Sequence, residues 1–173
     1  FENRGAEVGA TISHPHGQIY AYDHLPDRPR TMFSRGWRPD PSPQRSISTS
    51  GSWQVYVHHA PVFPVAVTLA PIERVGTLVD LDDESRTDLA LALIDTFSRL
   101  DRLFESPLPY MMWINQRPFN AEFPEAWMSL EIVSPWRARH LARYIAAAEV
   151  GAGEFFVPIA PEGVADMLRG FSR

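Results

Sequence analysis

The chain has 173 residues, 45% of them hydrophobic, which is enough for one packed domain or slightly more. A net charge of −5 gives no basic footprint for nucleic acid, and no apolar run is long enough to cross a bilayer. There is no cysteine, so no disulfide framework, which fits the cytoplasm. All sixteen basic residues are Arg, which removes lysine as a catalytic group.

In chain order, residues 1 to 12 read as a strand and turn punctuated by Gly5 and Gly9. They lead into His14-Pro15-His16-Gly17-Gln18 and a β-rich stretch to Tyr22. Residues 23 to 51 are rich in Pro and Ser and read as a connecting loop. A second unit starts near Ser52. Trp53 to His58 alternates as a strand, and Val62 to Leu69 is apolar on both faces, as a buried strand would be. His58 and His59 would point to opposite faces and cannot chelate one ion together; they read as ordinary polar residues. Leu89, Leu93, Phe97, Leu100 and Phe104 form one stripe at helical spacing, which predicts a helix over 82–105, capped by Asp80 or Asp82 and closed before Pro107. Tyr110 to Ile114 and Met128 to Val133 read as strands, and Pro161 to Phe171 as a terminal helix. The Ala-rich stretch 138–149 reads as a helix on propensity alone.

The most specific chemistry lies in residues 14 to 18. In an extended strand His14, His16 and Gln18 share a face, about 7 Å apart in turn. That is too far for bonds between neighbours, and it suits three separate jobs along one polyphosphate. Pro15 cannot donate to a ladder, so an edge or a bulge is expected there. Gly17 lets a ligand approach the backbone.

Phe1-Glu2-Asn3, Gly5, Gly9 and the H-P-H-G-Q run together closely resemble the active-site segment of galactose-1-phosphate uridylyltransferase, a branch of the histidine-triad superfamily. The resemblance continues at Pro109-Tyr110-Met111-Met112, Gln116, Pro118-Phe119-Asn120 and Trp127 to Ser134. It implies an α+β fold, a histidine-triad-like antiparallel sheet with a long helix packed on one face. Residues 1–51 would be the motif segment and linker, the last part of a first such half, and residues 52–173 a second histidine-triad-like domain. It implies that His16 is the nucleophile and His14 a zinc ligand. Gln18 would bond the transferred phosphoryl group, while Asn3, Thr11 and Ser13 would line the nucleotide side. Arg143 and Glu149 would lie near the sugar phosphate and sugar hydroxyls, in a segment that serves the other subunit's site. The resemblance also suggests a more extended path over 138–149 than propensity does.

Two departures from the family pattern matter. The family's second metal site uses histidines and a glutamate. Here Asn115 and Ser129 stand at two of the His positions, only Glu131 remains, and the glutamate expected after the motif falls near Met32. One carboxylate beside Asn and Ser is a poor site for a first-row metal, so no second metal is expected. A zinc site needs about four ligands, and the chain offers His14 and no Cys. Zinc is therefore expected only if a partner chain completes the site.

The chain opens inside the family's motif, and the expectation is a divided or truncated enzyme. The missing first half would be a separate chain, a homodimer partner, or both. In the family, a neutral His nitrogen attacks the α-phosphorus of UDP-glucose and the uridylyl group then passes to galactose 1-phosphate. Gln18 and backbone N–H groups from Gly9 to Ser13 are candidate donors to the phosphoryl oxygens. Two other readings remain open. One is another histidine-triad nucleotidyltransferase or phosphorylase. The other is a non-catalytic remnant that binds a nucleotide or a partner.

Overall fold

Every residue of Val65–Pro71 (β4) and of Ser129–Ser134 (β6) is buried, and these two strands form the middle of the molecule. In the computed structural model, which describes residues 1–12, 14–119 and 122–171, they sit at the centre of a six-stranded antiparallel sheet. The other strands are Glu2–Arg4 (β1), Ser46–Ser50 (β2), Trp53–Val57 (β3) and Tyr110–Asn115 (β5), in the order β1-β5-β6-β4-β3-β2.

The alternation of side chains sorts the sheet into two faces. Val55 and Val57, Val65 to Leu69 at every second position, and Leu130 and Ile132 meet Asp83–Leu103 (α2) and Pro161–Arg169 (α4) in one core. From α2 come Leu89, Ala92 and Leu100, with Leu93, Phe97 and Phe104 at its margin, so the predicted stripe is the buried face. Burying one such leucine stabilises the fold by roughly 2 kcal/mol. Asp82 caps α2 by accepting the Ser85 N–H at 2.8 Å. The helix stops where Glu105 turns to φ +52°, just before Pro107. Asp80 instead caps the short 3-10 turn Leu78–Asp80 through the Thr77 N–H at 3.1 Å.

The loop read over residues 23–51 is corrected. Asp27–Ser34 is a helix (α1), and β2 is an edge strand paired with β3. Pro29 is tolerated because first-turn N–H groups of a helix have no intrahelical partner in any case. Over 138–149, Trp136–Ala138 (β7) and Leu141–Ala142 (β8) form a small hairpin and the chain stays non-helical to Ala146. Helix then runs from Ala147 to Ala152 (α3). The extended path holds first and the propensity second.

β1 is a short strand held by side chains as well as by its ladder to β5. Arg4 is paired with Asp101 on α2, donates through Nε to the Leu108 carbonyl at 2.9 Å, and lies 4.7 Å from the Tyr110 ring centroid. The Tyr110 hydroxyl donates to Glu2 at 2.5 Å. Burial is the first cause that pushes this phenol's pKa up, with the Glu2 carboxylate adding to it. These contacts fix the strand from which the motif is hung.

Candidate active site

The motif segment is docked beside β1 by two reciprocal bonds. The Gln18 N–H donates to the Phe1 carbonyl and the Phe1 nitrogen to the Gln18 carbonyl, both at 2.8 Å. A single bridge, Glu2 with Gly17, is the only ladder the motif joins among the described residues. The extended strand expected for 14–18 does not form, which fits a proline that cannot donate to a ladder. His14, His16 and Gln18 therefore do not share a face in the manner of a strand.

What forms instead is a small polar cleft of about 100 Å³, lined by Asn3, Gly9, Ala10, Thr11, His16 and Gln18 among others. The cleft depends on Gly5 and Gly9, which carry φ of +102° and +83° and bend the chain around the 3-10 turn Ala6–Val8. The N–H groups of Gly9 and Ala10 donate within this turn, to Ala6 and Gly5 at 3.1 Å. They are thus engaged, and the expectation that they face a phosphoryl group is corrected. Ser13 and Asn120 lie outside the described residues.

His16 is half-buried, and its Nδ1 sits 2.9 Å from the His14 carbonyl oxygen. A carbonyl only accepts, so this contact puts a proton on Nδ1, and in the neutral ring the lone pair then lies on Nε2. His14 is exposed, with Nδ1 3.1 Å from the Pro15 carbonyl, and it is not part of the cleft. Among the described residues no group of three or more His, Cys, Asp and Glu could hold a metal. One exposed imidazole does not fit zinc within this chain.

Arg143 and Glu149 are brought together, away from His16 in the contacts they make. Both side chains are buried, and they are paired with each other. Glu149 also accepts the N–H groups of Ala146 and Phe156, each at 3.0 Å, and Arg143 donates from Nη2 to the Phe156 carbonyl at 2.6 Å. These bonds, the Ala146 one first, hold the Glu149 carboxyl below the ordinary range. Nη1 of Arg143 is buried with no hydrogen-bond partner among the described residues.

A larger cleft of about 700 Å³ opens on the sheet face opposite α2, and Gln18 borders both it and the small cleft. Its wall includes Tyr20 and Tyr22, part of an edge-to-face ring series that runs Phe1, Tyr20, Tyr22, His24 at 4.6, 6.4 and 5.7 Å. Asn115, Ser129 and Glu131 meet on this face, joined by Arg28 from α1. His58, read as an ordinary polar residue, also faces this cleft. Its Nδ1 accepts the Ala60 N–H at 3.1 Å, and burial pulls its pKa down, opposed by Glu131 and helped by Arg28. Neither Arg28 nor the position of His58 was legible in the sequence. The Asp at the first turn and the Pro two residues on were the available signal for α1.

An antiparallel sheet with one long helix across it and a histidine cleft at its edge defines a histidine-triad-like chain. A diadenosine triphosphate hydrolase from Plasmodium falciparum shares this fold, with TM-score 0.52 at 14% identity over 83% of this chain and 94% of that one. The family follows from the sequence. Residues 18–143 match the model for the galactose-1-phosphate uridyl transferase C-terminal domain, and residues 1–26 that for its N-terminal domain. The chain belongs to the galactose-1-phosphate uridylyltransferase family. It is 32% identical to the galactose-1-phosphate uridylyltransferase of Thermotoga maritima over 98% of its own length and 58% of the relative's. A solved uridylyltransferase mutant superposes with TM-score 0.87 at 26% identity, covering 97% of this chain and 60% of that one. The chain thus spans somewhat more than half the length of these relatives.

Proposed function

We infer that this chain carries the nucleophile for transfer of a uridylyl group between UDP-glucose and galactose 1-phosphate. The observation that carries this reading is the bond between His16 Nδ1 and the His14 carbonyl, because it selects the tautomer in which Nε2 holds the lone pair that attacks. In the first step Nε2 forms a bond to the α-phosphorus of UDP-glucose. The bond to the bridging oxygen breaks and glucose 1-phosphate leaves with the electron pair. In the second step a phosphate oxygen of galactose 1-phosphate attacks the same phosphorus, the N–P bond breaks, and UDP-galactose forms. The leaving groups are phosphates, so no strong general acid is needed. The Gln18 amide donates to the phosphoryl oxygens as charge builds there. Asn3 and Thr11, across the small cleft, contact the nucleotide.

Arg143 and Glu149 serve the hexose 1-phosphate in a neighbouring subunit, and Nη1 of Arg143, without a partner among the described residues, is a spare donor for that role. His14 joins a zinc site only where another chain supplies the remaining ligands, and no step above is routed through that metal. A first-half polypeptide or a homodimer partner is the implied source. No helix among the described residues is long and apolar enough to cross a membrane, and a cytoplasmic setting fits a chain without cysteine.

The test is isotope exchange. A double displacement exchanges label between glucose 1-phosphate and UDP-glucose with no galactose 1-phosphate present. Exchange by this chain, supplied with a first-half polypeptide and abolished in His16→Ala, is the expected result. Exchange that persists in His16→Ala, or exchange that occurs only when galactose 1-phosphate is present, would contradict it.

A further inference from the structure

The sheet face opposite α2 carries one carboxylate near its centre. Glu131 stands on β6 between β4 and β5, and its side chain is 10% exposed. A carboxylate so placed needs a cation or several N–H donors. Arg28 reaches it from α1, Nη2 to Oε2 at 2.6 Å. Asn115 Nδ2 reaches Oε1 at 2.8 Å and Ser129 Oγ at 3.2 Å. Because a carboxylate only accepts, Asn115 must turn its amide protons toward Glu131. The cluster therefore directs protons at its centre where a first-row metal would need converging lone pairs. The Arg28 guanidinium also lies 4.8 Å from the centroid of the Trp113 ring, a contact that suits a planar cation.

We propose that the Arg28 guanidinium replaces a metal ion at this point of the sheet. Arg28 and Glu131 form a metal-free clamp that fastens α1 to β5 and β6, with Asn115 donating to the carboxylate oxygen that the guanidinium leaves open and Ser129 accepting from Asn115 in turn. The positive charge arrives on the helix that follows the motif, so one side chain supplies both the cation and the tether. The Arg28 side chain is 61% exposed, so the pair is weaker than a fully buried one. The clamp does not depend on the proposed reaction, and its test does not use activity.

The experiment is thermal unfolding combined with Co(II) titration. In the natural chain, excess chelator and added Co(II) both leave the midpoint unchanged, and no d–d absorption appears. Arg28→Met and Glu131→Gln each lower the midpoint by about 3 to 6 °C, and the double variant falls by clearly less than the sum. Arg28→Ala combined with Asn115→His and Ser129→His presents two imidazoles and a carboxylate, and gains Co(II) absorption together with a higher midpoint. Additive losses in the double variant would overturn the clamp. So would Co(II) binding by the natural chain that raises the midpoint and disappears in Glu131→Gln. If the triple variant does not fold, the double-variant comparison decides alone.

Discussion

The Arg143 guanidinium is bonded to the Glu149 carboxylate six residues on, and both side chains are more than nine-tenths buried. Between them they hold the turn from Ala146 to Phe156 through backbone bonds. Residues predicted to meet a sugar phosphate are therefore first of all a structural clip. Removing one partner strands a buried charge. Arg143→Met is expected to lower the unfolding midpoint by roughly 5 to 10 °C, measured by circular dichroism. An unchanged midpoint would mean that the pair has no structural role.

Gly5 makes a second prediction. Its φ is +102°, and a Cβ there would come 2.7 Å from Pro109 Cβ. Both the conformation and the close approach exclude a side chain. Gly5→Ala should cost about 1 to 3 kcal/mol, read from denaturant unfolding. Gly9 is also at positive φ but has open space around it, so Gly9→Ala should cost less. Equal losses at the two positions would show that the Pro109 contact does not matter.

The pH dependence turns on His58. Its pKa is pulled below the ordinary value of 6.5, chiefly by burial. The unfolded chain then binds the proton more readily than the folded one. Stability contributed by the neutral ring is full above about pH 6.5 and is lost as the pH falls through that value, levelling off below the folded pKa. Between about pH 7.5 and 5.5 the midpoint of the natural chain should fall more steeply than that of His58→Gln. Parallel slopes in the two proteins would remove His58 as the cause.

Strands β3 to β6 and α2 were legible because their apolar residues alternate, run together, or recur at a period of three to four. Leu89 and Leu100 on α2, and the run of β4, apolar but for Thr68, are buried as their patterns require. α1 and β2 were not legible. Pro26, Pro29 and the serines of 46–50 carry little periodic signal, and what fixes these elements is distant: the Arg28 bond to Glu131 spans 103 residues. The motif was legible as chemistry but not as geometry. Alternation predicts a strand face, whereas Pro15 and the turn at Gly9 give a bend that sets His16 beside Asn3 and Thr11 and leaves His14 outside. The Arg143 and Glu149 pairing was hidden for a related reason, since propensity reads their segment as continuous helix and the hairpin β7-β8 interrupts it.

The central claim is that His16 Nε2 takes the uridylyl group. The most direct measurement is the intact mass of the chain after incubation with UDP-glucose, alone and with a first-half polypeptide of the family, in the natural protein and in His16→Ala. One uridylyl group added to the natural chain and none to His16→Ala is the predicted result, and its dependence on the added polypeptide reports whether another chain completes the site. No adduct on the natural chain with the polypeptide bound, or an equal adduct on His16→Ala, would contradict the claim.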